Sequence, residues 1–120
     1  MTLVSTKRAL EFFEAKMEFT TGPVELKGMM DRGENISIID VRAPEDYAKG
    51  HIPGAVNLPK NKWESFSGLR RDNNNVVYCY SLVCHLAADA ARFFAEHDFP
   101  VMELEGGYDQ WQQHGFPSEC

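Results

Sequence analysis

Cys79 is the residue of this sequence best placed for chemistry. It ends a short apolar run and begins a loop that leads into an alanine-rich segment, as the stretch VVYCYSLVCHLAADAARFF (76–94) shows. A strand–loop–helix arrangement would point successive backbone N–H groups at the sulfur and place it near the positive end of a helix. We therefore predict that the pKa of Cys79 falls below the free value of about 8.5. A cysteine at this position can also be simply a small buried hydrophobic residue.

The residues alone leave three chemistries open at Cys79: phosphoryl transfer, sulfur transfer and dithiol redox chemistry. Cysteine phosphatases need an arginine shortly after the nucleophile to hold phosphate oxygens, whereas Cys84 and His85 stand there, so phosphatase activity is not expected. Cys84 can meet Cys79 if the loop curls back, since a disulfide needs Cα atoms within about 7 Å. It would then resolve a persulfide or sulfenic acid on Cys79. The alternative is that Cys84 packs inward at the start of the helix.

Hydrophobic patterning places these residues in a domain of alternating strands and helices. Such alternation predicts βαβ units and a mainly parallel sheet, whose carboxyl ends meet ligands. Cys79 is expected at one of those ends. Residues 1–19 are predicted to be an amphipathic helical extension, with Leu10, Phe13 and Met17 on its apolar face, and residues 20–120 to be the domain. The pattern predicts helices at 6–19, 23–32, 44–49, 86–97 and 108–114, and strands at 36–41, 55–58, 76–80 and 101–105.

Composition narrows the class of protein. A chain of 120 residues with 43% hydrophobic and 25% charged residues suits one globular domain. The net charge of −6 argues against nucleic acid or an anionic membrane as the main partner, and no apolar run approaches the roughly 20 residues of a membrane span. The first residues do not read as a secretory signal, so a cytoplasmic location is expected. Three cysteines and four scattered histidines indicate neither a disulfide framework nor a metal site.

Three ordered segments carry a resemblance to a known family. They are IIDVRAPEDYAKGHIPGAVNLP (38–59), VVYCYS (76–81) and VMELEGGYDQWQQHGFP (101–117), and they resemble the single-domain rhodanese sulfurtransferases over residues 20–117. The resemblance implies a three-layer α/β/α fold with a central, mainly parallel, five-stranded sheet. It also implies a catalytic Cys79 and no metal or organic cofactor. The substrate-binding loop that it implies is formed by Tyr80, Ser81, Leu82, Val83, Cys84 and His85.

The reaction implied by the resemblance is transfer of a sulfane sulfur. A small-molecule or protein persulfide donor would load Cys79, and the resulting persulfide would pass its outer sulfur to a thiol or cyanide. Loops of this family often contain a glycine and basic residues, but CYSLVC (79–84) has neither. We therefore expect poor use of the thiosulfate dianion compared with a persulfide or polysulfide. The alternative hypothesis is a non-catalytic rhodanese-like module that binds a partner or senses oxidants through Cys79 and Cys84.

Several other residues are expected to be structural. Arg42 and Asp46 are four residues apart and are predicted to pair across the start of a helix. His51 is predicted to be a hydrogen-bonded structural histidine, and Trp111 a core residue. His85 is expected to be neutral, because it stands near a helix N-terminus, and able to donate a hydrogen bond to an incoming group. The alternative is that His85 is an exposed residue without a function. The N-terminal helix is expected to cover the sheet, with a dimer contact as the alternative, and the oligomeric state stays open.

Overall fold

The computed structural model describes residues 1–120 and has one central sheet flanked by helices. Five parallel strands form the sheet in the order β1-β5-β4-β2-β3, so the predicted α/β class and parallel sheet are confirmed. The elements in chain order are α1 (Thr6–Phe19), β1 (Thr20–Thr21), α2 (Pro23–Asp31), β2 (Ile36–Asp40), α3 (Pro44–Lys49), β3 (Val56–Asn57), a 3₁₀ helix (Lys60–Ser65), β4 (Asn74–Tyr78), α4 (Leu86–Glu96), β5 (Val101–Leu104) and α5 (Gly107–Gln113).

The sheet forms because β2 and β4 are short branched runs that can be buried on both faces. The two strands pair in parallel along their whole length, from Ile36 with Asn74 to Asp40 with Tyr78. The predicted helices and strands agree with the observed ones to within about two residues at each end. The exception is β1, which was not located from the sequence. Its two residues are too few to show an alternating pattern, and their pairing with β5 defines them as a strand.

Each face of the sheet carries its own hydrophobic cluster, because successive side chains of a strand point to opposite faces. Val77 and Cys79 belong to the cluster under α4, with Ala87, Ala90 and Phe94. The neighbouring Val76 and Tyr78 belong to the other cluster, which includes Leu26, Leu104 and Trp111. Cys79 therefore projects toward the α4 side of the sheet.

Helix α1 lies outside both clusters. Ser5 caps its N-terminus, because the Ser5 side chain accepts a hydrogen bond from the Arg8 N–H. None of the residues of α1 is buried. Its apolar stripe faces away from the domain: Leu10 is 62% exposed, Phe13 57% and Met17 81%. The expectation that this helix covers the sheet is therefore wrong, because the side chains that would cover the sheet lie on the opposite side of the helix. None of the helices combines the length and apolar character that a membrane span requires.

Candidate functional site

The site is built on the loop that joins β4 to α4, residues 79–85, which we call the cysteine loop. Cys79 follows the last residue of β4 at the carboxyl end of the sheet and is only 2% exposed. Its thiol donates a hydrogen bond to the carbonyl of Cys84, with 3.5 Å between sulfur and oxygen. The sequence prediction placed the sulfur at this end of the sheet, and the structure confirms that position.

The cysteine loop curls back through a tight turn. The Cys84 N–H donates to the Ser81 carbonyl at 3.1 Å, which brings the end of the loop over its beginning. No other N–H group of residues 81–85 has a hydrogen-bond acceptor within the protein. These free donors can serve an anion held beside the sulfur, together with the first turn of α4. They belong to Ser81, Leu82, Val83 and His85, whereas the Tyr80 N–H interacts with the sulfurs of Cys79 and Cys84.

The base of the cysteine loop is held by the start of α5. The Tyr108 N–H donates to the Cys79 carbonyl and the Asp109 N–H donates to the Tyr80 carbonyl, each at 2.9 Å. This contact requires glycine at position 107. Gly107 has a φ of 59°, and a Cβ atom there would lie 2.6 Å from the Cys79 carbonyl oxygen. The glycine pair seen in the sequence thus lets the helix start approach the backbone that carries the cysteine.

A side-chain anchor holds the other edge of the loop. The Tyr80 hydroxyl donates to an Asp46 carboxylate oxygen at 2.6 Å and accepts from the Ala43 N–H at 3.1 Å. Asp46 is therefore the partner of Tyr80. The sequence spacing had predicted that it pairs with Arg42, and the structure shows no such pair. The prediction was wrong because the four-residue spacing rule applies within a helix, and Arg42 precedes the first residue of α3.

Arg42 instead belongs to a buried polar network beneath the loop. Its guanidinium contacts the Asp40 carboxylate at 2.7 Å and the Gly50 carbonyl at 2.7 Å. The Tyr78 hydroxyl donates to the same carboxylate at 2.6 Å. Burial and the nearby Asp40 charge raise the pKa of Tyr78, so its hydroxyl remains a donor. Burial lowers the pKa of Arg42, but the hydrogen bond from its guanidinium to Asp40 outweighs burial and leaves it raised.

The two thiols of the loop influence each other in opposite directions. Burial raises the pKa of Cys79 to about 11, and the neighbouring Cys84 adds to the rise. The prediction of a lowered pKa at Cys79 is therefore wrong, because the loss of water around the sulfur outweighs the hydrogen bonds from the Ala87 and Tyr80 amides. Partial burial also opposes ionisation of Cys84. Hydrogen bonds from Cys79 and from the Leu86 and Tyr80 amides nevertheless lower its pKa.

The remaining predicted loop residues form the rim. Leu82 and Val83 are 70% and 85% exposed, so the tip of the loop is an apolar surface in water. His85 is exposed at the N-cap of α4 and makes no capping hydrogen bond with its side chain. Cys84 is partly buried against the cluster that contains Cys79, so the loop brings both cysteines to the same side of the sheet.

Glu103 is a nearby ionisable residue that sequence reasoning missed. It pairs in register with Val77 on the central part of the sheet, and its pKa is raised by burial and by Glu105. The charge of His85 acts in the opposite direction, as does that of Lys16. A signal for it existed: a glutamate in the middle of the predicted strand VMELE interrupts an otherwise apolar run.

Two residues predicted to be structural are confirmed in that role. The His51 ring stacks on Tyr47, with ring centroids 3.7 Å apart, and its Nδ1 contacts the Tyr47 carbonyl at 2.8 Å. Trp111 is fully buried, and its indole N–H donates to the Pro117 carbonyl at 2.8 Å. The His51 contact joins it to α3, and the Trp111 contact joins α5 to the segment that follows it.

Fold and site together define a class: a parallel α/β domain with a cysteine at a strand's carboxyl end, inside a loop of free backbone amides. The comparison with known families agrees, since the rhodanese-like domain matches residues 22–114. The chain therefore belongs to the rhodanese-like domain family, as the sequence motifs indicated.

The chain spans different shares of its individual relatives. The thiosulfate sulfurtransferase GlpE of Stutzerimonas stutzeri is 31% identical over 73% of this chain and 80% of its own length. The HTH-type transcriptional regulator Rv0324 of Mycobacterium tuberculosis is 35% identical over 78% of this chain, which spans only 41% of that protein. Among solved structures, the BH2092 protein of Bacillus halodurans superposes with a TM-score of 0.87 at 30% identity, covering 96% of this chain and 86% of its own.

Proposed function

We propose that this protein is a sulfurtransferase that carries a sulfane sulfur as a persulfide on Cys79. The observation that supports this most directly is the position of the Cys79 sulfur at the start of a loop in which four amides have no acceptor within the protein. Relatives named as thiosulfate sulfurtransferases support the same class of reaction.

The reaction has two displacement steps. In the first, the Cys79 thiolate attacks the sulfane sulfur of the donor, and the donor's former partner leaves with the bonding electron pair. In the second, a thiolate or cyanide attacks the outer sulfur of the Cys79 persulfide, and the Cys79 thiolate leaves. Both steps place negative charge at the same point, and fixed backbone dipoles lower the free energy of such charge without needing to reorient.

The raised pKa of Cys79 suits the loaded form better than the bare thiol. The Cys79 sulfur is nearly inaccessible to water, so its own negative charge is poorly solvated. A second sulfur extends the group by about 2 Å and so shifts the charge outward from that buried position. We propose that the loop amides stabilise the persulfide anion more than they stabilise the thiolate.

The composition of the loop suggests the class of donor. No basic side chain stands between Cys79 and His85, so a dianion such as thiosulfate gains only the backbone amides. A polysulfide or a protein persulfide carries less charge and has more to gain from the apolar rim at Leu82 and Val83. We propose donors of this kind, with a small thiol, a protein thiol or cyanide as acceptor.

Intact-mass spectrometry tests the proposal. The protein is incubated with inorganic polysulfide, desalted and weighed, with Cys79→Ser as the matched control. A mass gain of one sulfur atom that disappears in the variant supports the proposal, and absence of any gain on Cys79 in both the wild type and Cys84→Ser contradicts it. A steady-state comparison of kcat/KM for polysulfide and thiosulfate then tests the donor class, and a clear preference for thiosulfate would contradict that part.

One observation favours a second candidate function, a redox-sensing module without transferase activity. A thiol with a pKa near 11 is largely protonated at neutral pH, and it lies against a second, more acidic thiol. Mild peroxide would then oxidise Cys84 first and produce a Cys79–Cys84 disulfide. This candidate gains support if peroxide produces that disulfide while polysulfide produces no persulfide at all.

A further inference from the structure

The cysteine loop holds two free thiols, one at its first residue, Cys79, and one near its end, Cys84. Cys79 and Cys84 are five residues apart, and the turn between them places the Cys84 carbonyl 3.5 Å from the Cys79 sulfur. Cys84 also packs against the hydrophobic cluster that contains Cys79, and the two residues shift each other's pKa in opposite directions. A second thiol this close to a persulfide can attack it before any external acceptor arrives.

We propose that Cys84 resolves the Cys79 persulfide, forming a Cys79–Cys84 disulfide and releasing hydrosulfide. This inference rests on the proposed function, because it requires the persulfide to form. It adds an outlet for the sulfur that needs no external acceptor. The protein then converts sulfane sulfur to sulfide.

The step balances within the loop. The Cys84 sulfur attacks the inner sulfur of the Cys79 persulfide, a sulfur–sulfur bond forms between the two cysteines, and the bond to the outer sulfur breaks. The electron pair leaves with the outer sulfur, which takes the thiol proton and departs as HS⁻. The outer sulfur is thereby reduced and the Cys84 sulfur is oxidised, whereas the Cys79 sulfur has the same oxidation state in the persulfide and in the disulfide. A dithiol reductant then restores both thiols by disulfide exchange.

The environment of Cys84 suits the role of attacking thiol. It is more exposed than Cys79 and stands just before α4, where the Leu86 amide and the Tyr80 amide donate to it. Its lowered pKa gives it the larger thiolate fraction of the pair. The apolar packing around Cys79 keeps bulky external thiols away from the inner sulfur, so the neighbour within the loop has the advantage of access.

The expected size of the effect follows from effective concentration. A thiol tethered by a short loop acts at a concentration on the order of millimolar. At about 10 µM protein, this exceeds the intermolecular thiol concentration roughly 100-fold. The persulfide of a chain without Cys84 should therefore survive about 100 times longer once the donor is removed.

The experiment uses the full chain with Cys120→Ser, so that the exposed tail thiol cannot take part. This protein and its Cys84→Ser derivative are loaded with inorganic polysulfide without oxygen, desalted, and followed by intact mass and a sulfide electrode. Cys84→Ala serves as a second variant, and circular dichroism verifies folding of each.

Three outcomes are distinguishable. Release of one sulfide per loaded sulfur, with a product two hydrogens lighter than the reduced protein, supports the inference if both Cys84 variants keep their sulfur. Equal persulfide lifetimes with and without Cys84 overturn it and leave the proposed function intact. Failure of every chain to gain sulfur overturns the proposed function, and the inference with it.

The exposed stripe of α1 supports a second, independent inference. Leu10, Phe13 and Met17 project away from the domain, and Phe12 is 61% exposed beside them. Near the end of the same helix, an apolar groove of about 440 Å³ runs between α4 and β5. Phe19, Ala88, Ala91, Phe99 and Val101 contribute to its walls.

We infer that two copies of this chain pair, with α1 of each copy lying in the α4–β5 groove of the other. Large side chains bury about 150–250 Å² each. The four side chains of α1 are about two-thirds exposed, so near the lower end of that range they offer roughly 450 Å² per copy. Two such helices and the grooves they cover would bury roughly 1,800 Å² in total, which is the range of a stable interface. A superposition covering 96% of the chain includes most of α1, so the Bacillus halodurans relative has a comparable extension.

Light scattering after size-exclusion chromatography tests the pairing over a series of protein concentrations. The chain should elute with twice its mass of 13.6 kDa. Phe13→Glu combined with Met17→Glu should make it a monomer, whereas Lys7→Glu, which changes the net charge by the same −2 at an already charged position that is not one of the four apolar side chains, should not. A wild-type monomer at every concentration overturns the inference, as does a dimer that is indifferent to the double substitution.

Discussion

Replacing Gly107 with alanine should damage the cysteine loop from outside the loop. The backbone at this position has a φ of 59°, and a Cβ atom would lie 2.6 Å from the Cys79 carbonyl oxygen and 2.9 Å from the Tyr80 carbonyl carbon. Both neighbours are backbone atoms of the loop base, so they cannot rotate away as the end of a side chain can. The start of α5 and the cysteine loop must therefore separate.

The cost has two parts. A left-handed conformation costs a residue with a Cβ about 1–2 kcal/mol. Separation also weakens the hydrogen bonds from the Tyr108 and Asp109 amides to the loop carbonyls, worth about 1 kcal/mol each. The free energy of unfolding should thus fall by roughly 3 kcal/mol, and Tm by roughly 10–18 °C for a domain of this size.

Gly33→Ala is the matched control. Gly33 also has a positive φ, 68°, but no atom lies within 4 Å of the Cβ that alanine would add. Gly33→Ala should lower the free energy of unfolding only by the roughly 1–2 kcal/mol that a left-handed conformation costs a residue with a Cβ. Urea denaturation followed by circular dichroism measures both losses, and intact-mass loading with polysulfide measures the effect on Cys79. If the two variants lose equal stability and load sulfur at equal rates, Gly107 does not support the loop.

Three further substitutions probe the network and the ionisation of the site. Tyr78→Phe removes the hydroxyl that donates to the buried Asp40 carboxylate, so urea denaturation should show a loss of about 1.5–3 kcal/mol; an unchanged midpoint would contradict the network. Cys84→Ala removes a neighbour that raises the pKa of Cys79, so the pH midpoint for alkylation of Cys79 should move down from about 11. A midpoint that stays in place would show that burial alone sets it. Glu103 has a raised pKa in the folded protein, so its contribution to stability is full below the unfolded value and is lost as the pH rises through the folded one. Glu103→Gln should therefore unfold at a higher urea concentration at pH 7 but not at pH 4, and equal midpoints at both pH values would rule this out.

The elements that carry the site were predictable because local patterns determine them. The branched run before Asp40 and the run before Cys79 are typical of strands buried on both faces, and both became central strands. In a parallel sheet the residue after such a strand must lie at the carboxyl edge. The position of Cys79 at the carboxyl edge of the sheet therefore followed from periodicity and turn residues alone.

The electrostatics of the site were not predictable, because they depend on packing between segments distant in sequence. Loop amides and a helix start both favour a thiolate, and that part of the reasoning was sound. Burial has the opposite effect on the pKa of Cys79. It arises because Ala87 and Ala90 of α4 pack in the same buried cluster as Cys79. Alanine patterning predicts a helix but not how closely that helix approaches. The direction of α1 has the same origin: Leu10 and Phe13 define its apolar face, but only the three-dimensional structure shows that this face points away from the domain.

Burial and reactivity need not conflict in this loop. A fully exposed thiolate would load quickly but would also lose its outer sulfur to any thiol in solution. Cys79 is instead buried, at the start of a loop with four free amides. Loading therefore costs more, because the thiol must first ionise in a poorly solvated position. In the proposed persulfide, the charge would move outward toward the loop amides while the inner sulfur stayed buried, so Cys84 would be the thiol best placed to reach it. On this proposal, the burial that slows loading of Cys79 also favours Cys84 over external thiols in the last step.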